Sequence, residues 1–399
     1  MPGWTPLFFR AEHEAAVRTA LRRIASSVAD DDAAQQTIEP SLTAGSAGRA
    51  LFLFHAAELL DCDETFQAGA LALRAALRHL PPSLRFFSGA TGIAWLVEHL
   101  SRWVDDPDTD EIDHLLHRAL TSTDRWSDDY DLFNGLTGYG VYLCRHLVRA
   151  PASALSRESL EAVIRHLDQI SEQAAGARTW LRSAHLLASK ESEEHPGGLY
   201  VLGAAHGVPG PIALLARCVA LGHGGALVHR MLMEAISWLL AQRLPRGADA
   251  RFAGWVEPGQ RPTTPWRSTW CYGDPGVAAV LLAAGQATGN EAWKDEALEL
   301  MLGVARRSRP RAGIVDPSLC HGAAGLGHIF NRVYQATGVP ELGDAARSWL
   351  LEAVRMMDDP RVEWYRTSGL LMGLSGVGLA LCASVSEEEP TWDEIFLMS

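Results

Sequence analysis

The sequence predicts an all-α fold of the α/α toroid type, a double ring of about seven inner and seven outer helices. Three observations predict it: a G-x-x-G element recurs seven times, each copy runs into an apolar stretch, and amphipathic stretches lie between the copies. A helix without a polar face is buried, whereas an amphipathic helix is half exposed. We therefore expect each repeat to contribute one inner and one outer helix.

The glycine pairs set the order of the predicted elements. The seven pairs are Gly45/Gly48, Gly89/Gly92, Gly135/Gly138, Gly207/Gly210, Gly273/Gly276, Gly322/Gly325 and Gly373/Gly376. From first glycine to first glycine the steps are 44, 46, 72, 66, 49 and 51 residues. The two long steps predict insertions near 173–200 and 244–265, where a short ribbon near Arg251–Trp255 is the main strand signal. A leading helix is expected within residues 1–40.

The ends of the repeat array predict a closed ring. An open solenoid needs polar terminal repeats, because one flank of its first and last repeat meets water. Here the last repeat is among the most apolar of the seven. We therefore expect the seventh repeat to pack against the first, in a single domain of residues 1–399.

Composition and charge narrow the functional classes. The chain has 399 residues, 47% of them hydrophobic, and a formal net charge of −13, which disfavours nucleic acid and anionic membranes as partners. Arg10, Glu12 and Glu14 interrupt any signal-peptide core. The long uncharged run at 367–386 contains four glycines and is expected to be a buried helix, not a transmembrane segment. The predicted location is the cytoplasm.

Residues that break the repeat pattern are the candidates for chemistry. Just before the first glycine of the fourth, fifth and sixth copies stand His206, Cys271, Cys320 and His321. Equivalent positions of adjacent repeats lie close together in a closed ring, so two thiols and an imidazole predict a Zn²⁺ site with an open fourth position. The alternative, a buried core thiol, is expected for the four remaining cysteines: Cys62, Cys144, Cys218 and Cys382. A lone histidine such as His206 is more often a hydrogen-bonded structural residue.

Three segments resemble the lanthipeptide synthetase cyclases, the LanC-like family. They are AHG at Ala205–Gly207, R-x-x-WCYG-x-PG at Arg267–Gly276 and CHG-x-x-G at Cys320–Gly325. The seven repeats fit that family's α/α toroid, so the resemblance covers nearly the whole chain. The segment Tyr130–Gly138 is similar to the family segment that supplies a functional aspartate, here Asp131.

The resemblance implies a stand-alone, class I type cyclase of lanthipeptide biosynthesis. Such an enzyme catalyses Michael-type addition of a precursor-peptide cysteine thiol to dehydroalanine or dehydrobutyrine, which forms a (methyl)lanthionine thioether ring. The implied cofactor is Zn²⁺, held by Cys271, Cys320 and His321. The metal would bind the substrate sulfur and remove its proton.

The same resemblance suggests roles for five further residues. His206 is the candidate acid/base, and Arg267 would stabilise the enolate oxygen or orient a partner. Asp131 would pair with His206 or Arg267, with a helix N-cap as its structural alternative. Tyr272 is expected to donate a hydrogen bond, and Trp270 to wall the pocket.

Two other functions remain open. Some relatives add glutathione or another thiol to dehydroamino acids in proteins, and a non-catalytic zinc-containing peptide-binding scaffold would share the same ligands. The cyclase interpretation implies a dehydrated precursor peptide, leader and core, as the partner. It also implies a dehydratase and an exporter, and through that complex a peripheral position at the membrane.

Overall fold

The computed structural model describes residues 3–8, 10–34, 39–104, 109–362 and 367–399. Residues 1, 2, 9 and 35–38 of the expected leading segment lie outside the described residues. The described helices are α1 (Ala11–Ala34), α2 (Ser46–Leu60), α3 (Asp63–Arg78), α4 (Ala90–Leu100), α5 (Asp110–Thr121), α6 (Leu136–Arg149), α7 (Ala154–Ile170), α8 (Ser189–Glu194), α9 (Pro209–Ala220), α10 (Gly225–Ala241), α11 (Asp274–Thr288), α12 (Glu291–Ala305), α13 (Arg309–Ala312), α14 (Ala323–Thr337), α15 (Pro340–Asp358) and α16 (Leu374–Val385). The described strands are β1 (Glu172–Ala174), β2 (Ala177–Thr179), β3 (Tyr200–Val201) and β4 (Trp255–Val256).

Helix type alternates along the chain as the repeats predict. Within the described ranges, seven apolar helices follow the G-x-x-G glycines: α2, α4, α6, α9, α11, α14 and α16. Every residue of α4 is buried, as are all but the first of α16. Seven amphipathic helices complete the pattern: α1, α3, α5, α7, α10, α12 and α15. In α5, for example, only Ile112, Asp113, Leu116 and Leu120 are buried.

The chain divides into two compact units by its internal contacts. The first comprises Met1–Ser83, Phe87–Asp106 and Ser308–Asp393, and the second comprises Leu84–Phe86, Pro107–Arg307 and Glu394–Ser399. In the first unit, α16 packs against α2, and the backbone N–H groups of Leu370 and Leu371 donate to the carbonyl of Thr43. The seventh repeat therefore packs against the first, as expected. The single domain over 1–399 stays a prediction.

The second unit contains both long steps of the repeat. The 173–200 segment contains part of the β1–β2 hairpin, a 3-10 turn and α8 before reaching β3. The antiparallel pair β3–β4 joins it to the 244–265 segment, with Tyr200 opposite Val256. The predicted ribbon near Arg251–Trp255 is thus a two-residue strand, β4, which begins at the last residue of that range.

The turns that precede the apolar helices are tightly packed, and glycine makes this possible. A Cβ on Gly276 would lie 2.1 Å from the carbonyl oxygen of Trp270. Gly273 adopts a φ of +114°, and a Cβ there would lie 2.2 Å from the carbonyl oxygen of Arg267. Backbone hydrogen bonds join these turns in consecutive repeats, from Ala205 N–H to the Cys271 carbonyl and from Cys320 N–H to the Leu371 carbonyl. Equivalent positions of neighbouring repeats are therefore adjacent.

Candidate metal centre and acid/base site

The second unit brings Asp131 and His206 into direct contact. Asp131 lies in the turn before α6 and is fully buried, and His206 lies in the turn before α9. The Nδ1–H of His206 donates to Oδ2 of Asp131, and the Phe133 ring packs 4.6 Å from the imidazole, centroid to centroid. This contact fixes one ring nitrogen and leaves Nε2 as the nitrogen for exchanging protons with a bound molecule.

Asp131 also organises its own turn. Its Oδ1 accepts a hydrogen bond of 2.6 Å from the backbone N–H of Asn134. The residue preceding α6 is Gly135, so Asp131 is not the N-cap of that helix. The carboxylate closes the 131–134 turn and holds His206 at the same time, which restricts the orientation of both side chains.

Arg182 is a part of this site that the sequence analysis missed. Its Nη2 lies 2.7 Å from Oδ2 of Asp129 and 3.8 Å from Oδ2 of Asp131. Burial raises the pKa of Asp129, and the charge of Asp131 raises it further, whereas Arg182 lowers it without cancelling the rise. Arg182 lies in the irregular segment between β2 and α8, which has no counterpart in the repeat, so the comparison of repeats gave no signal for it.

The three remaining predicted residues, Tyr272, Trp270 and Arg267, differ in how far they are buried. The Tyr272 ring is 6.5 Å from that of His206, and burial followed by the neighbouring Cys271 raises its pKa well above the usual value, so the phenol stays neutral. Trp270 is buried and donates its indole N–H to the carbonyl of Phe396 at 2.8 Å. Arg267 is half-buried. Among the described residues, the guanidinium beside Asp131 belongs to Arg182 and not to Arg267.

Cys271, Cys320 and His321 form the candidate metal centre. One ligand atom from each, two thiol sulfurs and an imidazole nitrogen, lies within 4.8 Å of the others. A search of the described residues for three or more His, Cys, Asp or Glu side chains that could share a metal ion finds this group. Two thiolates and one imidazole match the donor preference of zinc, and three protein ligands leave a fourth position of a tetrahedral ion open. The donor set therefore fits the cofactor that the sequence predicts.

Asp316 supports this centre and was also missed from the sequence. Its Oδ2 lies 3.2 Å from Nε2 of His321, which leaves Nδ1 for a metal. Burial raises the pKa of Asp316, but hydrogen bonds from His321 and Ser318 outweigh it, so the pKa lies below its ordinary value. Carboxylates commonly orient ligating histidines in this way. An acidic residue four positions before Cys320 was the signal that could have found it.

The other cysteines do not join the group. Cys144, Cys218 and Cys382 are buried, as expected of core thiols, whereas Cys62 is only half-buried, before α3. Within the described part of the chain, we find no helix with both the length and the apolar character needed to cross a membrane. The uncharged run at 367–386 contains α16, a buried helix of 12 residues.

Fold and site define a helical-repeat enzyme of the lanthionine cyclase class. The family model described as lanthionine synthetase C-like protein matches residues 36–397, and the chain belongs to this family. It is 24% identical over 335 residues to the nisin biosynthesis protein NisC of Lactococcus lactis subsp. lactis, covering 74% of this chain and 72% of that protein.

The solved structure of a nisin cyclase resembles this chain over almost its whole length. The TM-score is 0.77 at 20% identity, with 96% of this chain and 97% of that chain covered. This similarity confirms the all-α, α/α toroid fold class that the seven repeats predict. The family match confirms the prediction of a lanthionine synthetase cyclase at the level of the enzyme class.

Proposed function

We propose that the chain is a zinc-dependent cyclase that adds cysteine thiols of a precursor peptide to dehydroalanine or dehydrobutyrine. The observation that carries the proposal is the convergence of Cys271, Cys320 and His321. Three protein ligands would leave the fourth position of a tetrahedral zinc ion to a substrate thiol. The similarity to NisC, a nisin biosynthesis protein, supports a peptide substrate. The product would be a lanthionine or methyllanthionine ring.

The candidate metal centre would serve to deprotonate the substrate thiol. Bound zinc lowers the pKa of a coordinating thiol and so supplies the thiolate that the addition requires. Cys271, Cys320 and His321 would hold the ion, and Asp316 would keep the His321 ring in its ligating orientation. Because two of these ligands would be thiolates, the loaded site would be electron-rich, which would keep a substrate sulfur nucleophilic.

His206 completes the proton balance of the reaction. The substrate sulfur forms a bond to the β-carbon, the C=C electrons move onto the carbonyl to give an enolate, and the α-carbon then takes a proton. The proton lost from the thiol balances the proton gained, so product and substrate are isomers. His206 Nε2 delivers that proton, while Asp131 stabilises the imidazolium on the Nδ1 side.

Three further side chains would stabilise negative charge, either in the acidic turn beside His206 or on the enolate. Arg182 and its hydrogen bonds to Asp129 fix the acidic turn beneath His206. Tyr272, which remains neutral, donates a hydrogen bond to the enolate oxygen, and the Arg267 guanidinium stabilises the same developing charge. Trp270, with its indole N–H committed to Phe396, supports the wall behind Cys271.

The substrate chemistry indicates the partners. Dehydroalanine and dehydrobutyrine arise by loss of water from serine and threonine, so a dehydratase must act before this enzyme. The proposed complex includes the dehydrated precursor, with its leader and core, and a dehydratase; the resemblance to the cyclase family adds an exporter of the finished peptide.

The proposal is tested by metal content and ring formation together. Elemental analysis should give about one zinc per chain, lost in both Cys271→Ala and Cys320→Ala, with Cys218→Ala as the buried control. Wild type co-expressed with a dehydratase and candidate precursors should consume the peptide thiols, measured by alkylation and mass spectrometry.

Full ring formation by zinc-free variants would contradict the proposed function. A mass gain of one glutathione per dehydro residue would favour the second activity, and zinc binding without any reaction would favour the scaffold.

A further inference from the structure

A row of aromatic side chains leads away from the candidate acid/base in the second unit. The Tyr272 ring lies 6.5 Å from that of His206, Trp266 lies 5.8 Å from Tyr272, and Trp255 lies 5.0 Å from Trp266, all between ring centroids. Trp255 stands on β4 and is 36% exposed, which is unusual for so large an apolar side chain. The row therefore connects the protein surface with the candidate active site.

A groove of about 250 Å³ lies at the outer end of this row. It is formed by β4 and the following loop, with Trp255 and Trp266 as its large apolar surfaces and Arg261, Thr263 and Thr264 among its polar ones. A concave site with a few polar groups around aromatic side chains is the usual form of a binding pocket. The groove is thus shaped to take a ligand with both apolar and hydrogen-bonding parts.

Some polar groups at the groove have hydrogen-bond partners within the protein and others do not. Glu257 is engaged by His195 Nδ1 at 2.8 Å and by Gln260 Nε2 at 2.6 Å, so its carboxylate is already paired. The indole N–H of Trp266 is buried and has no acceptor among the described residues. An unpaired buried donor is unfavourable, so this indole still lacks the acceptor that most buried donors have.

We propose that this groove is a subsite for the precursor peptide, and the inference rests on the function proposed above. The bound segment is an extended stretch flanking the reacting residue, with an apolar or aromatic side chain against Trp255. An extended chain rises about 3.3 Å per residue, so the three ring spacings correspond to roughly five residues. The subsite would thus act on residues near the forming ring and influence which cysteine or dehydro residue reaches His206.

Synthetic peptides test this inference. The short probe contains dehydroalanine and cysteine separated by two residues, and the long probe adds six flanking residues that include leucine and phenylalanine. Trp255→Ala should raise KM for the long probe about tenfold with little change in kcat, and leave the short probe unchanged. Trp255→Phe should retain most of the affinity. Leu115→Ala, which removes a side chain of similar exposure (39%) on α5, is the matched control.

A second measurement separates this inference from the proposed function. The long probe with serine and alanine in place of the reacting pair cannot cyclise, and its binding is followed by calorimetry. Wild type should bind it about tenfold more tightly than Trp255→Ala does. Binding at Trp255 without cyclisation of either reactive probe would support the subsite and reject the cyclase. Cyclisation of both probes by wild type and Trp255→Ala with equal KM, and equal binding of the inert probe, would overturn the subsite.

Discussion

The carboxylate of Asp131 accepts a hydrogen bond from Nδ1 of His206, although the two residues are 75 positions apart in the chain. They occupy turns before consecutive apolar helices, α6 and α9. The buried carboxylate fixes the imidazole tautomer by accepting from Nδ1, a function that depends on its acceptor oxygens as well as on its shape.

Replacing either member of this pair should remove proton transfer without removing the metal. His206→Ala and Asp131→Asn should each lower kcat for ring formation by roughly 10²- to 10⁴-fold, the usual contribution of general acid–base catalysis. Zinc content, measured by elemental analysis, should equal that of wild type in both. Normal single-turnover cyclisation by His206→Ala would show that another group carries the proton.

Arg182 should influence the reaction through the acidic turn. Its attraction holds down the pKa of Asp129, which burial and Asp131 otherwise raise. In Arg182→Met that carboxyl should take up a proton at a higher pH, so the acidic limb of the kcat/KM profile should move to higher pH. Arg182→Lys retains the charge and should move the limb less.

Arg178 provides the matched control for Arg182. It lies on β2, is similarly buried, and pairs with Asp168 at 2.6 Å and Glu234 at 2.9 Å, away from His206. Arg178→Met should lower thermal stability and leave the shape of the pH profile unchanged. If both methionine variants lose stability alike and neither shifts the acidic limb, Arg182 has only a structural role.

Asp316 should determine how tightly the metal is held. Asp316→Asn keeps the size of the side chain but removes the charge that orients and polarises His321. Loss of such an outer partner typically weakens metal affinity about 10- to 100-fold. Competition with a chromogenic zinc chelator measures the change. Asp344→Asn, at an exposed carboxylate on α15, should leave the affinity at the wild-type value.

The repeat made the fold and the main residues predictable from sequence. Glycine pairs mark the starts of the apolar helices because the turns before them leave no space for a Cβ, as at Gly276. Once the turns were aligned, Cys271, Cys320 and His321 were identified as residues that depart from the pattern, and the structure brings them together.

The supporting groups were not predictable in the same way. Arg182 lies in an insertion that has no equivalent in the other repeats, so its approach to Asp129 depends on tertiary packing alone. For Asp131 the sequence left two partners, His206 and Arg267, and a helix N-cap role open, and only the position of the turn before α6 excludes the N-cap. The sequence predicts that Trp270 walls the pocket, whereas its hydrogen bond to Phe396 involves a segment that lies outside the repeats.

A histidine pair joining α2 and α4 should make stability depend on pH. Nε2 of His55 lies 2.9 Å from Nε2 of His99, and burial, followed by the charge of Arg102, lowers the pKa of His55 from 6.5 to about 3. The unfolded chain therefore binds a proton more readily than the folded one. The contribution of neutral His55 is fully present above pH 6.5 and is lost as the pH falls towards 3, by up to about 1.4 kcal/mol per pH unit.

Urea unfolding at pH 7.5, 6.0 and 5.0 tests this dependence. The free energy of unfolding should fall less steeply with decreasing pH for His55→Gln than for wild type. Exposed His229→Gln should follow wild type. Parallel curves for wild type and His55→Gln would mean that His55 takes up a proton as readily in the folded chain as in the unfolded one.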